Sequence, residues 1–197
     1  MRKVFFIVVA AAIGLASCHA KENPVENDGK QATQVAEGND PQAIVALYHD
    51  IDSLTMAGKM DREKMKQFVK EAVTYAHAVP ADTLSPHFLL YAGITQMQLA
   101  FSDPDASRRY TQAIHAVSIL DDLRRNYTGY RRMDMAYYYR AQIYENLGKN
   151  EEARQAYLDL VHRFPDTDLG KSVAAYLQAD GYEKSADEIM QGFKKGN

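Results

Sequence analysis

Residues 134–167, DMAYYYRAQIYENLGKNEEARQAYLDLVHRFPDT, constrain the chain more than any other stretch, because their apolar side chains can be buried together only by two adjacent helices. Apolar and small residues recur at Tyr137, Ala141 and Tyr144, then at Ala153, Tyr157 and Leu160. Steps of three or four place each run on one helical face. Gly148 stands between the runs, where glycine can close a helix in a left-handed conformation, and Pro165 stops the second run because proline has no N–H to continue it. The stretch predicts an antiparallel helix pair and carries almost no chemistry of its own.

In that order, and within a 34-residue period, these residues resemble the tetratricopeptide repeat family. With Asp134 as the first position, the family's large residue at four is Tyr137, its small residue at eight Ala141 and its aromatic at eleven Tyr144. Ala153 stands at twenty, Tyr157 at twenty-four and Pro165 at thirty-two. Leu160 replaces the usual small residue at twenty-seven and Arg140 the usual apolar one at seven, departures that predict looser packing at both places. The resemblance implies an all-α, helical-repeat superhelix of about four antiparallel helix pairs, with a concave groove for a protein or peptide partner.

Prolines mark out the rest of the body. Asp40-Pro41, Ser85-Pro86 and Asp103-Pro104 each pair a good N-cap with a proline at the first helical position, where a missing N–H is harmless. Pro80 and Pro165 instead follow helix ends. The first helix is predicted over 41–57 with Ile44, Tyr48, Ile51 and Leu54 inward, and Gly58 ends it. The second, over 62–78, carries Met65, Phe68, Val69, Ala72 and Ala76. The third, over 86–101, offers Leu89, Leu90, Gly93 and Met97, with Gly93 marking a close helix approach. The fourth runs from 104 to about 126 with Tyr110, Ala113, Ile114, Val117, Leu120 and Leu123 inward. After the clear repeat, Asp168 caps a seventh helix that Gly181 breaks, and 183–195 form a closing eighth. The domain is therefore expected over 40–197.

The amino terminus gives the address. Arg2 and Lys3 precede an apolar run over 4–15, too short to cross a membrane as a mature helix. Leu15-Ala16-Ser17-Cys18 resembles the bacterial lipoprotein lipobox, which implies a signal peptide over 1–17 and a lipid anchor on Cys18. His19, where an aspartate would resemble an inner-membrane retention signal, favours the outer membrane, and the leaflet stays open. Residues 18–39 are polar and without period, as a tether would be. Net charge is −3, and becomes −5 once Arg2 and Lys3 are removed, which argues against nucleic-acid binding. With one cysteine, no internal disulfide is possible.

No catalytic motif is legible. The histidines at 19, 49, 77, 87, 115 and 162 show no i, i+4 pair, and no phosphate loop, GxSxG or HExxH occurs, so no metal, cofactor or enzyme activity is expected. Two clusters remain as binding candidates. Six of the thirteen tyrosines lie between Tyr127 and Tyr144, and Tyr138, Gln142, Glu145 and Asn146 occupy positions that in the repeat family face the groove. Tyrosine covers apolar area at small entropic cost and keeps its hydroxyl wet. The other use open to Tyr138 and Tyr139 is packing against flanking helices. The lysine and asparagine with which some family members clamp a terminal carboxylate are replaced by Tyr138 and Gln142, so that mode is not expected. Arg108, Arg109, Arg124, Arg125, Arg131 and Arg132 form a basic cluster for an acidic protein or phosphate-bearing polymer, or else serve helix ends. The expected function is a lipid-anchored scaffold of the cell envelope holding a protein or peptide. Its alternative is capture of a glycan or cell-wall fragment on the tyrosines.

Overall fold

The computed structural model describes residues 40–179. Among the described residues the chain forms seven helices and no strand: α1 (Pro41–Met56), α2 (Arg62–Ala78), α3 (Ser85–Phe101), α4 (Ala106–Asn126), α5 (Met133–Asn146), α6 (Asn150–Arg163) and α7 (Asp168–Ala179). The signal, the tether, the break at Gly181 and the eighth helix lie outside the described residues. Three helix pairs and the first member of a fourth are seen, and the fold is an all-α helical repeat.

Glycines and caps set the helix ends. Asp40 caps α1, its carboxylate accepting the Gln42 N–H at 2.9 Å. Gly58 and Gly148 adopt φ of 70° and 71°, and beyond them Lys59 donates to the Leu54 carbonyl and Lys149 to the Tyr144 carbonyl, each at 2.9 Å. This left-handed closure satisfies carbonyls that the last turn would otherwise leave bare. Three caps differ from expectation. Ser85 is the first residue of α3, not its cap; the Asp82 carboxylate takes the Leu84 N–H at 2.7 Å, and the Ser85 hydroxyl turns in to the Val79 carbonyl at 2.7 Å. A proline one place further in is tolerated because first-turn N–H groups have no helical acceptor anyway. The cap of α4 moves from Asp103 to Asp105, which accepts the Arg108 N–H at 2.8 Å. Thr167 rather than Asp168 caps α7, its hydroxyl oxygen accepting the Gly170 N–H at 3.0 Å.

Each helix packs on the next, and α5 also reaches both α3 and α7. The odd-numbered helices thus form one layer and the even-numbered helices the other, with the odd side the tighter. Between the layers lie the expected α2 stripe, joined by Tyr75, and Leu89, Leu90, Leu120 and Leu123. Gly93 is where α3 and α4 meet: a Cβ added there would lie 2.6 Å from Leu120 Cδ2. Tyr110 and Ile114 were expected inward and are instead 47% and 36% exposed. The buried face of α4 is Ala113, Ala116, Val117, Ile119, Leu120 and Leu123. At 100° per residue, Tyr110 and Ile114 fall past its edge.

The slack expected at Leu160 and Arg140 is absent. Leu160 is fully buried. Arg140 reaches back to α4, its Nε 3.2 Å from Asp121 Oδ1 in an ion pair whose N–H is not aligned for a hydrogen bond. The same oxygen takes Arg124 Nη1 at 2.6 Å, and Arg124 lies 4.1 Å above the Tyr137 ring. One carboxylate thereby ties α4 to α5.

Asp103 joins α2, α3 and α4. Only 6% exposed, it lies shallow beneath a cover of side chains rather than deep in the core. Arg108 binds both its oxygens at 3.1 and 3.2 Å, the Asp105 N–H adds a bond at 3.0 Å, Gln112 one at 3.1 Å, and Arg62 stands 3.6 Å away. The Arg108 hydrogen bonds, then the Asp105 N–H, hold its carboxyl down at about 2, against burial, which opposes them. A carboxyl lowered on folding stabilises the fold above its ordinary value near 4, and that contribution drains away as pH falls toward 2. Denaturant midpoints measured from pH 5 to pH 2 should therefore fall, and Asp103→Asn should fall less steeply from a lower starting point. An unchanged slope in that variant would remove Asp103 from the account.

Candidate functional site

Tyrosines line the odd layer. Tyr48 of α1 and Tyr91 of α3 meet with ring centroids 4.7 Å apart. On α5, Tyr139 and Tyr138 meet at 5.5 Å, Tyr138 continues to Tyr157 of α6 at 6.2 Å, and Tyr157 to Tyr176 of α7 at 5.6 Å. Arg132, at the start of α5, joins the two runs. Its Nη1 donates to the Tyr91 hydroxyl, its guanidinium lies 5.6 Å from the Tyr91 ring centroid, and its charge acts on Tyr139 and Tyr48. Tilted and edge-on ring pairs of this kind contribute about 0.5–1.5 kcal/mol each beyond their buried area. The result is one aromatic face crossing the stack.

The four groove positions expected on α5 are brought together and bonded to one another or to neighbouring tyrosines. Gln142 donates to the Tyr138 hydroxyl at 2.7 Å, and Asn146 donates to the Gln142 carbonyl at 2.8 Å. Glu145 accepts from the hydroxyls of Tyr157 at 2.7 Å and Tyr176 at 2.5 Å, so α5, α6 and α7 share one carboxylate. Burial, then the nearby Glu145 charge, raises the Tyr138 hydroxyl above its ordinary value. Burial and the Glu145 hydrogen bond push Tyr157 further up, and burial with neighbouring Tyr91 does the same for Tyr48. These hydroxyls stay protonated at neutral pH and can donate. Tyr138 and Tyr139 are half-buried, so packing and display coexist in them.

The six arginines do not gather into one patch. Arg108 and Arg109 sit in the first turn of α4 and Arg124 and Arg125 in its last, about 24 Å apart at 1.5 Å per residue. Arg108 is held by Asp103, and Arg109 donates to the Asp103 and Pro104 carbonyls at 3.2 and 3.3 Å. Arg124 and Arg125 pair with Asp121 and Asp122, each at 2.6 Å. Arg131 and Arg132 stand apart from these, in the turn between α4 and α5. Among the described residues no group of three or more His, Cys, Asp or Glu side chains is placed to hold a metal ion.

The sequence reading missed Tyr48 and Tyr91, the first because it was assigned to the core stripe and the second because it stood alone. A signal existed in the odd helices, each of which carries a tyrosine on this face: Tyr48, Tyr91, Tyr138 or Tyr139, and Tyr176. Finding it requires knowing which layer each helix joins.

A two-layer array of antiparallel helices with tyrosines along one layer is an architecture suited to protein-protein interaction. In this chain residues 135–167 match the sequence profile of a family described as tetratricopeptide repeat. That match covers α5 and α6 almost entirely, the pair read from sequence as the clear repeat. Comparison with curated proteins and with solved structures gave no match.

Proposed function

We propose that this protein is a lipid-anchored scaffold of a bacterial cell envelope, binding a protein or peptide segment along the tyrosine face of its odd-numbered helices. The observation that carries the reading is the row of tyrosines on the odd-numbered helices, with Tyr48 and Tyr91 in ring contact, Arg132 linking Tyr91 to the start of α5, and Tyr138 and Tyr176 joined through the buried Tyr157 ring of α6. Rigid aromatic side chains already held in place lose little freedom when a partner covers them. Neighbours that satisfy one another's hydrogen bonds present a finished surface, not one that must rearrange. The anchor rests on the sequence over 1–18, where the basic flank, short apolar run and Cys18 follow one another as in a lipobox.

The test places a photo-crosslinking amino acid at Tyr138, with a control at Tyr110 on the outer face of α4. Irradiated cells are then fractionated. A discrete protein adduct at Tyr138, absent at Tyr110 and leaving the membrane fraction when Cys18→Ser is added, is the expected result. The same adducts at both positions would sink the groove, and an adduct still membrane-bound with Cys18→Ser would sink the anchor.

A further inference from the structure

We infer that the segment bound on this face is acidic, and that Arg131 and Arg132 receive one of its side-chain carboxylates. This rests on the groove reading above and names the chemistry of the occupant.

The first ground is charge accounting. Of the ten arginines among the described residues, six, including Arg62, Arg108 and Arg140, have a carboxylate at ion-pair distance, while Arg109 is taken up by two backbone carbonyls and Arg163 lies 5.6 Å from the Tyr137 ring centroid. Among the described residues no carboxylate pairs with Arg131 or Arg132. The acid closest in sequence, Asp134, accepts the Met135 N–H at 2.9 Å and keeps its charge, which is felt at Tyr130, as that of Asp52 is felt at Tyr48. Two adjacent guanidinium groups, neither of them in an ion pair, are an arrangement that an incoming anion relieves.

The second ground is position. Arg132 is held against Tyr91 by its hydrogen bond and ring contact, with its Nε 3.2 Å from Met135 Sδ. A fixed guanidinium keeps further N–H donors while having little side-chain freedom left to lose. Arg131 is exposed beside it. Both charges act on His87, in the first turn of α3, whose Nδ1 stands 3.0 Å from the Tyr130 hydroxyl. Burial, then Arg131 and Arg132, lower His87 below its ordinary value, so at neutral pH it is uncharged and adds polarity without adding repulsion. This positive corner lies where the two tyrosine runs meet. A carboxylate seated there leaves the flanking residues of the same segment over Tyr91 and Tyr48 on one side and Tyr139 and Tyr138 on the other.

The test uses the full-length chain in detergent and two libraries of hexapeptides blocked at both ends. One library carries two Asp or Glu residues among apolar residues and proline; the other has Asn or Gln at the same places. The acidic library should be enriched by about tenfold, the worth of one good charge-assisted contact. Arg131→Gln with Arg132→Gln should abolish the preference, and Arg131→Lys with Arg132→Lys should retain most of it. Arg131→Gln alone, at an exposed side chain, guards against a folding artefact and should reduce the preference partly. Equal enrichment of both libraries would overturn the acidic occupant and leave the groove standing. A preference surviving in the folded double glutamine variant would remove the two arginines from the account. A third library, the acidic one with its carboxyl terminus left free, serves as a check: enrichment of that library alone would replace the side-chain carboxylate by a terminal one. If neither library binds the folded protein, the groove reading falls as well.

Discussion

Gly93→Val should lower the unfolding free energy by about 3 kcal/mol, the upper end of the usual cost of overpacking a closed core. The valine Cβ would start 2.6 Å from Leu120 Cδ2 and 2.7 Å from its Cγ, and Leu120 is fully buried, so it has no open space to retreat into. Two effects oppose each other at this position. Replacing a helical glycine by alanine normally gains about 1 kcal/mol of helix propensity, whereas a contact this short costs more than that. Gly93→Ala should therefore also destabilise, by less than valine. Urea midpoints of the two variants decide the matter. A stabilised alanine variant would mean that α3 and α4 can part without cost, which the shared burial of Leu89, Leu90 and Leu120 speaks against.

Gly170→Ala should act locally and almost as strongly. Its Cβ would fall 1.9 Å from the Phe164 carbonyl oxygen, a backbone atom fixed at the end of α6. The same oxygen accepts from Thr167 N at 3.3 Å and Thr167 Oγ1 at 3.1 Å, so the α6–α7 turn is built on it. The alanine must lift α7 away. Amide exchange should then quicken in α7 by about a hundredfold, on the order of 3 kcal/mol of local stability, while α2 to α4 keep their protection. With α7 lifted, Tyr176 leaves Glu145 and Tyr157, so crosslinking from Tyr138 should weaken as well. Uniform loss of protection across all helices would show instead that the array melts as one unit.

Helix positions were legible because the apolar period and the prolines agree. The boundaries of α2 match the sequence reading, and Gly58, Gly93 and Gly148 each do what their surroundings demanded. Caps were harder to read. At Asp103-Pro104-Asp105 two carboxylates compete for one helix start, and the choice is made by Arg108, Gln112 and Arg62, which converge on Asp103 only after folding. Tyr110 and Ile114 are apolar at helical spacing yet lie off the buried face, because the face that α4 turns to its neighbours is centred further round, on Ala113, Ala116 and Leu120. At the site, the residues on α5 were visible through the repeat pattern. Tyr48 and Tyr91 were not, since they lie 43 residues apart and share a surface only through stacking of the layers. The pairing of each arginine was equally hidden, and it separates Arg131 and Arg132 from Arg108, Arg124 and Arg125, which hold carboxylates, and from Arg109, which holds two backbone carbonyls.

Stacked helical repeats usually behave as springs, since each unit touches only its neighbours and small rotations add along the stack. In this chain the odd-numbered side carries two runs of tyrosine rings, Tyr48 with Tyr91 at 4.7 Å and Tyr139 through Tyr176 at 5.5 to 6.2 Å, with Arg132 between them. Coiling tighter would press these rings together, whereas opening would only part weak ring contacts, so the array should resist bending more in one sense than in the other.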